Sequence, residues 1–192
     1  MVGTIKLALL CVMFHLIGAN NTYKSLLEVF KKPKDIKSLF KDGKTYYVAA
    51  GTIKKGPEQS PKYDLYCGEV RVKSIASQTI TEKRYLYHPR GKWTWLHANY
   101  SVTIETDSHK QRDYADITAL HGEKKRVATL DLLWLENNTC ALFYNSLTDD
   151  CESWEFQKLE LNQMGHSDCS KLTLGCNKRS FLHYVSECYQ NH

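Results

Sequence analysis

The segment DDCESWEF, Asp149–Phe156, places carboxylates, a cysteine and two aromatic rings next to one another. In a β-strand the side chains alternate between two faces, so Glu152, Trp154 and Phe156 would lie together, opposite Cys151. A carboxylate that leaves water needs a positive partner, and an aromatic face adds a cation–π attraction of roughly 0.5–2 kcal/mol. A site for a cation is one reading of this face. The alternative is a salt bridge at a rim for Glu152 and ordinary packing for Trp154.

Positioning such a face requires a sheet, and the middle of the chain is a series of strand-like segments separated by turn signals. The predicted strands are Thr45–Lys54, Tyr63–Ile75, Thr79–Tyr87, Lys92–Glu105, Arg112–Leu120, Arg126–Glu136, Thr139–Tyr144 and Cys151–Gln157. Two short helices split by Pro33 are predicted within 22–42, and a late helix over Ser167–Leu174. The order predicts an all-β domain with minor α content: an eight-stranded antiparallel up-and-down barrel with room for one small ligand. A β-sandwich is the alternative.

The first residues read as an export signal. Residues 1–19 contain Lys6 and then the apolar run Leu7–Ile17, which is short for a bilayer span and typical of a signal peptide. The alternative is a buried N-terminal helix. Cleavage would remove Cys11 and leave an even number of cysteines, which predicts disulfides whose pairing the spacing leaves open. The remaining chain, 20–192, reads as one domain.

Three sequons, at Asn20, Asn99 and Asn137, suit an exported chain and predict glycosylation. Strict alternation would put Asn99 on the same face as Trp93 and Trp95. A glycosylated asparagine must face outward. Either the two tryptophans are therefore outside the barrel, or a β-bulge resets the alternation.

Charge and motif content argue against several classes of function. The formal net charge of +5 is mild, and the densest basic run, Lys31–Lys37, reads as a solvated loop and not as a nucleic-acid or membrane patch. The cysteines form no CxxC pair and the histidines have no ligand spacing, so no metal site is expected. Without a GxSxG motif or a glycine-rich phosphate loop, we expect neither an enzyme nor a cofactor.

The arrangement of several short motifs resembles the tick salivary lipocalins, the family that includes histamine-binding proteins. The motifs are TYYVAAGT (Thr45–Thr52), YDLYCGEVRV (Tyr63–Val72), TCALFY (Thr139–Tyr144) and CESWEF (Cys151–Phe156), followed by Cys169 and Cys188. The resemblance covers nearly the whole chain after residue 19. It implies a monomeric protein, secreted into saliva, that sequesters a small host mediator. It also implies the disulfides Cys67–Cys188 and Cys140–Cys169, with a third pair, Cys151–Cys176, as in some members.

The resemblance further implies a ligand set. Glu152 would pair the ammonium of a biogenic amine such as histamine or serotonin, and Trp154, Phe156 and Tyr46 would enclose its ring. Asp42 lies near a further family acid, although it reads equally well as a turn residue. The sequence also departs from the histamine binders: it has IKKG where they carry aromatic and acidic side chains. Lipid mediators (eicosanoids, fatty acids or sterols) and a host immune or complement protein therefore remain alternative targets.

Overall fold

The computed structural model describes residues 35–54, 63–108, 112–136, 138–176 and 178–190. The predicted signal peptide 1–19, the first of the two N-terminal helices, and the sequons Asn20 and Asn137 lie outside the described residues.

Eight strands close into one antiparallel up-and-down barrel. They are β1 (Thr45–Gly51), β2 (Tyr66–Ile75), β3 (Gln78–Tyr87), β4 (Thr94–Asp107), β5 (Arg112–Ala119), β6 (Arg126–Glu136), β7 (Cys140–Asn145) and β8 (Asp150–Glu155). Each strand pairs with the next in the chain, and β1 pairs with both β8 and β2, which closes the sheet. A short β9 (Phe181–Leu182) extends the pairing of β1. The predicted barrel is confirmed, and it fits a lipocalin-like fold.

The barrel interior is filled by one face of each strand. Alternate residues turn inward because the period of a strand is two, so apolar side chains at every second position meet in a single core. The inward set includes Val48, Val70, Val72, Tyr100, Val102, Ile117, Leu130, Leu132, Phe143 and Trp154. Burial of this set supplies the main stabilisation of the fold.

A 3-10 helix, Ile36–Phe40, packs against one end of the barrel. Asp35 starts it by accepting the backbone N–H of Ser38 at 3.2 Å, and Leu39 and Phe40 join the interior core. A helix was predicted in this stretch. With five residues it takes the 3-10 form, which is common in such short pieces.

Three disulfides tie the C-terminal segment to the barrel wall, in the pairs that the resemblance implies: Cys67–Cys188, Cys140–Cys169 and Cys151–Cys176. The late helix α1 (Asp168–Leu172) begins where predicted, with Ser167 accepting the backbone N–H of Ser170. Three disulfides are consistent with an oxidising, extracytoplasmic location. Among the described residues no helix is long and apolar enough to cross a membrane.

Trp93, just before β4, and Trp95, within β4, lie on the outer wall of the barrel. Register between β3 and β4 runs without interruption from Thr79↔Val102 to Tyr87↔Thr94, so no bulge resets the alternation there. Trp93 and Trp95 pack under the C-terminal segment in a cluster with Met164, Tyr184 and the Cys67–Cys188 disulfide. Asn99 shares this outward face, as a glycosylation site requires.

Candidate functional site

Trp154 is the centre of an aromatic cluster inside the barrel. It is 1% exposed, and its ring centroid lies 4.4 Å from that of Phe143, 5.4 Å from Tyr46 and 6.0 Å from Phe40. Phe40 belongs to the 3-10 helix, so the cluster fills the barrel from the helix end upward. The polar groups of the site lie against this cluster, which is called the aromatic floor below.

Glu152 and Lys83 form an ion pair above this floor. Lys83 Nζ on β3 lies 2.9 Å from Glu152 Oε1 on β8 and 5.4 Å from the centroid of the Trp154 ring. The indole N–H of Trp154 donates a second hydrogen bond to Glu152. Each side chain of the pair is 17% exposed. One ammonium group, that of Lys83, therefore already lies between a carboxylate and an aromatic face in this site.

The environment of Glu152 favours its ionised form. Burial raises the pKa of Glu152, but the charge and hydrogen bond of Lys83, with the hydrogen bond of Trp154, outweigh it, so the pKa lies below its ordinary value of 4.5. The carboxylate is therefore charged at neutral pH. Burial, and then the charge of Glu152, raise the pKa of Tyr85 well above its ordinary value, so this phenol stays protonated.

A cavity of about 80 Å³ adjoins the ion pair. Its walls are mostly apolar and come from seven strands, all except β2, and from the segments that follow β1 and precede β2. They include Val48, Ile53, Leu65, Tyr85, Tyr100, Ile117, Val127, Leu130 and Phe143, with Lys83 and Glu152. Ligand pockets generally measure roughly 300–1,000 Å³. The cavity is thus small for a ring-bearing molecule while the Lys83 side chain occupies the interior.

His183 and Asp150 contribute further polar groups to the cavity, as do Asn145 and Thr148. His183 Nδ1 lies 3.1 Å from the carbonyl oxygen of Leu65, the contact of a ring N–H that donates to a carbonyl. Burial lowers the pKa of His183, and the hydrogen bond to Leu65 and the charge of Glu152 offset this only in part. Asp150 accepts hydrogen bonds from Thr52 and Lys178, each at 3.0 Å.

The structure brings together four of the five residues predicted as ligands. Glu152 lines the cavity, whereas Trp154 and Tyr46 lie in the floor, and Phe156 packs on Tyr46 with a centroid distance of 5.1 Å. The hydroxyl of Tyr46 donates to the carbonyl of Leu39 at 2.8 Å. Burial raises its pKa to about 12, so it stays protonated.

Asp42 lies apart from the cavity. Its carboxylate accepts the backbone N–H of Ser74 at 2.7 Å, beside the turn that leads into β1. This is the contact of the turn residue that the sequence also allowed. It places the Asp42 carboxylate at the helix end of the barrel, remote from Glu152.

The opposite face of β8 holds the C-terminal segment in place. Cys151 is bonded to Cys176, and Ser153 Oγ lies 2.8 Å from Ser170 Oγ. Glu155, 1% exposed, accepts the backbone N–H of Gly165 and the hydroxyl of Ser170, both at 3.3 Å. One strand thus carries the site on its inner face and the anchoring contacts on its outer face.

Sequence reasoning missed Lys83, Tyr85 and His183. Lys83 occurs in the stretch TITEKRYLY, where strict alternation groups it with Thr81 and Tyr85. Alternation did not single out Lys83 as an inward-facing charge, because the other face of β3 carries charged side chains as well. His183 carried no signal, since it reaches the cavity only through the folding of the C-terminal segment over the barrel.

Among known proteins, the chain has matches in the solved structures. No protein-family model matches it, and no curated protein matches it. Solved structures do match, among them the crystal structure of an AM182 serotonin complex, at 14% sequence identity with a TM-score of 0.44. That match covers 76% of this chain and 85% of the other.

Proposed function

We propose that the protein binds a small aromatic amine inside its barrel, with Glu152 as the counter-ion of the ligand's ammonium. One observation carries this proposal. The Lys83 ammonium lies 2.9 Å from Glu152 and 5.4 Å from the Trp154 ring, so this position already holds a primary ammonium group. A ligand ammonium has the same charge and donors, and would meet the same carboxylate and the same aromatic face.

The surrounding walls suit the rest of such a ligand. Phe143, Tyr85 and Tyr100 place aromatic rings around the cavity, and aliphatic side chains such as Leu130 and Ile117 complete it. Aromatic rings bury well against such walls, and offset or edge contacts add roughly 0.5–1.5 kcal/mol each. Histamine and serotonin are suitable probes, since each joins a primary ammonium to a flat ring.

The proposed mode of action is stoichiometric sequestration of a host mediator by a secreted protein, without turnover. Support comes from the disulfides, which suit an extracellular protein, and from the resemblance of the motifs to salivary lipocalins. The constellation at Glu152 consists of binding groups: a counter-ion, ring walls and a neutral histidine.

Isothermal calorimetry with histamine and serotonin at pH 7 tests the proposal. We expect one site per chain and a loss of affinity of at least about thirtyfold in Glu152→Gln, because the amide removes the charge that pairs the ammonium. Glu160→Gln, an exposed acid beyond β8, is the matched control and should bind as the wild type does. Absence of binding to either amine, or equal affinity in Glu152→Gln, would contradict the proposal.

A lipid mediator is the second candidate, and one observation favours it. The Lys83–Glu152 pair is neutral as a unit, and most of the cavity wall is apolar. A neutral or weakly polar ligand would therefore have no need to break the pair, although its entry requires the cavity of about 80 Å³ to widen. Native mass spectrometry of the purified protein separates the two candidates: a co-purified fatty acid, eicosanoid or sterol supports the lipid.

A further inference from the structure

We propose that Lys83 is a built-in competitor for the amine site: it occupies the place of the ligand's ammonium and must withdraw for an amine to bind. The inference rests on the proposed function, since it concerns the same site. It makes Lys83 a specificity-determining residue, because a ligand without an ammonium cannot replace the positive charge of Lys83 that pairs with Glu152.

The site has little free space while Lys83 is in place. The cavity of about 80 Å³ is well below the roughly 300–1,000 Å³ of ordinary ligand pockets, while a lysine side chain reaches into the interior from β3. The position of Lys83 is set by its pairing with Val70 on β2 and Ala98 on β4. Withdrawal of its ammonium and distal methylenes would free both the counter-ion and the volume next to it.

The charge balance of the site also favours withdrawal of Lys83. A cationic ligand added to the intact pair would leave two positive groups sharing the Glu152 carboxylate in a buried site, which is costly. The other carboxylate of the cavity, that of Asp150, is already paired with Lys178 at 3.0 Å. If Lys83 leaves as the amine enters, the interior stays neutral. Binding then becomes an exchange of one ammonium for another. Because only the fraction of molecules with Lys83 withdrawn can bind the amine, the apparent affinity is weakened.

The two partners of the ion pair differ in how firmly the surrounding residues hold them. Glu152 accepts a second hydrogen bond from the Trp154 indole N–H, and Trp154 is itself locked in the aromatic floor. Lys83 has its hydrogen bond to Glu152 and the aromatic face, and its ammonium ends a flexible four-carbon stem. Glu152 would therefore stay as Lys83 moves, which also argues against replacement of Glu152 by an anionic ligand.

Calorimetry on three substitutions tests the competition. Lys83→Met should bind the amine at least about tenfold more tightly than wild type, because the competitor is gone. Lys83→Arg should bind more weakly, since a guanidinium fork holds a carboxylate with two hydrogen bonds. Lys171→Met, an exposed lysine paired with Asp168 on α1, is the control and should leave affinity unchanged. Should Lys83→Met fail to fold, Lys83→Gln carries the same prediction.

NMR of the wild-type protein separates displacement from a simple charge effect. With lysine labelled at Cε and Nζ, the Lys83 signal should be shifted by the Trp154 ring current and be absent in Lys83→Arg. Saturation with the amine should move it to the position of exposed lysines. An unmoved signal, or equal or weaker binding in Lys83→Met, overturns the competition while amine binding that depends on Glu152 still stands. If no variant binds an amine, the proposed function itself fails.

Discussion

The indole N–H of Trp154 donates to the carboxylate of Glu152, its neighbour two residues earlier on the inner face of β8. The bond joins the aromatic floor to the charged group above it. Because Trp154 is enclosed by Phe40, Tyr46 and Phe143, it cannot turn away, and so the orientation of Glu152 is set before any ligand arrives. Such preorganisation lowers the entropic cost of binding.

Trp154→Phe tests the importance of this hydrogen bond. The substitution keeps an aromatic ring in the floor but removes the N–H donor and weakens the cation–π attraction. We expect amine affinity to fall by about three- to thirtyfold, and stability by about 1–3 kcal/mol because part of a buried ring is lost. Calorimetry and urea unfolding measure the two effects. Unchanged amine affinity in a folded Trp154→Phe protein would contradict this role.

The Lys83–Glu152 pair should be strongly non-additive in stability. Glu152→Gln alone leaves Lys83 buried without its counter-ion and should cost about 3–5 kcal/mol. The double variant Lys83→Met/Glu152→Gln removes both charges and should recover most of that loss, since a buried pair can be replaced by groups of similar volume at little cost. Urea unfolding of wild type, both single variants and the double variant gives the coupling energy. Additive losses would show that the pair does not act as a unit.

His183 should make stability depend on pH in a defined window. Its pKa is lowered in the folded protein by burial, so the unfolded chain takes up a proton first, near its ordinary value of 6.5. The stabilising contribution is therefore present above pH 6.5 and is lost as pH falls below it. The pKa of Glu152 also lies below its ordinary value of 4.5, so Glu152 adds a second loss of stability only as pH falls below about 4.5.

The measurement is the free energy of unfolding between pH 8 and pH 5. We expect the decline below pH 6.5 to be smaller in His183→Asn, whose amide can still donate to Leu65 but does not titrate. A decline of the same size in both proteins would contradict the assignment to His183.

Gly68 on β2 lies close to Val48 and Tyr85, two residues that line the cavity. A Cβ added there would lie 2.6 Å from Val48 Cβ and 2.7 Å from Tyr85 Cε1, both shorter than side chains tolerate. Gly68→Ala should therefore destabilise the protein by about 1–3 kcal/mol and weaken ligand binding by pushing Tyr85 into the cavity. Thermal unfolding and calorimetry check both effects. Wild-type stability and affinity in Gly68→Ala would contradict this prediction and show that Val48 and Tyr85 can shift to accommodate the added methyl group.

Much of the barrel was predictable because turn residues and alternation report on local backbone geometry. β6 has the predicted bounds, Arg126–Glu136. β2 begins at Tyr66 and not at the predicted Tyr63, and its alternation is interrupted by a register shift between Tyr66 and Glu69, where Cys67 takes φ 56°. A bulge of this kind depends on pairing with neighbouring strands, which local patterns do not record.

The site was predictable in part, for a similar reason. Glu152 and Trp154 face inward as alternation indicated, but their roles as ligands stay predictions. The partner of Glu152 could not be identified, because Lys83 is adjacent in β3 to the outward-facing Glu82 and Arg84 and so does not stand out in the sequence. Only closure of the barrel brings β3 and β8 face to face.

A crystal structure of the protein with serotonin bound tests the central claim most directly. We expect the ligand's ammonium within hydrogen-bond distance of Glu152, its ring among Phe143, Tyr85 and Tyr100, and Lys83 withdrawn from the carboxylate. A structure in which serotonin binds outside the barrel, or in which the Lys83–Glu152 pair stays intact beside a bound amine that contacts neither residue, would contradict it.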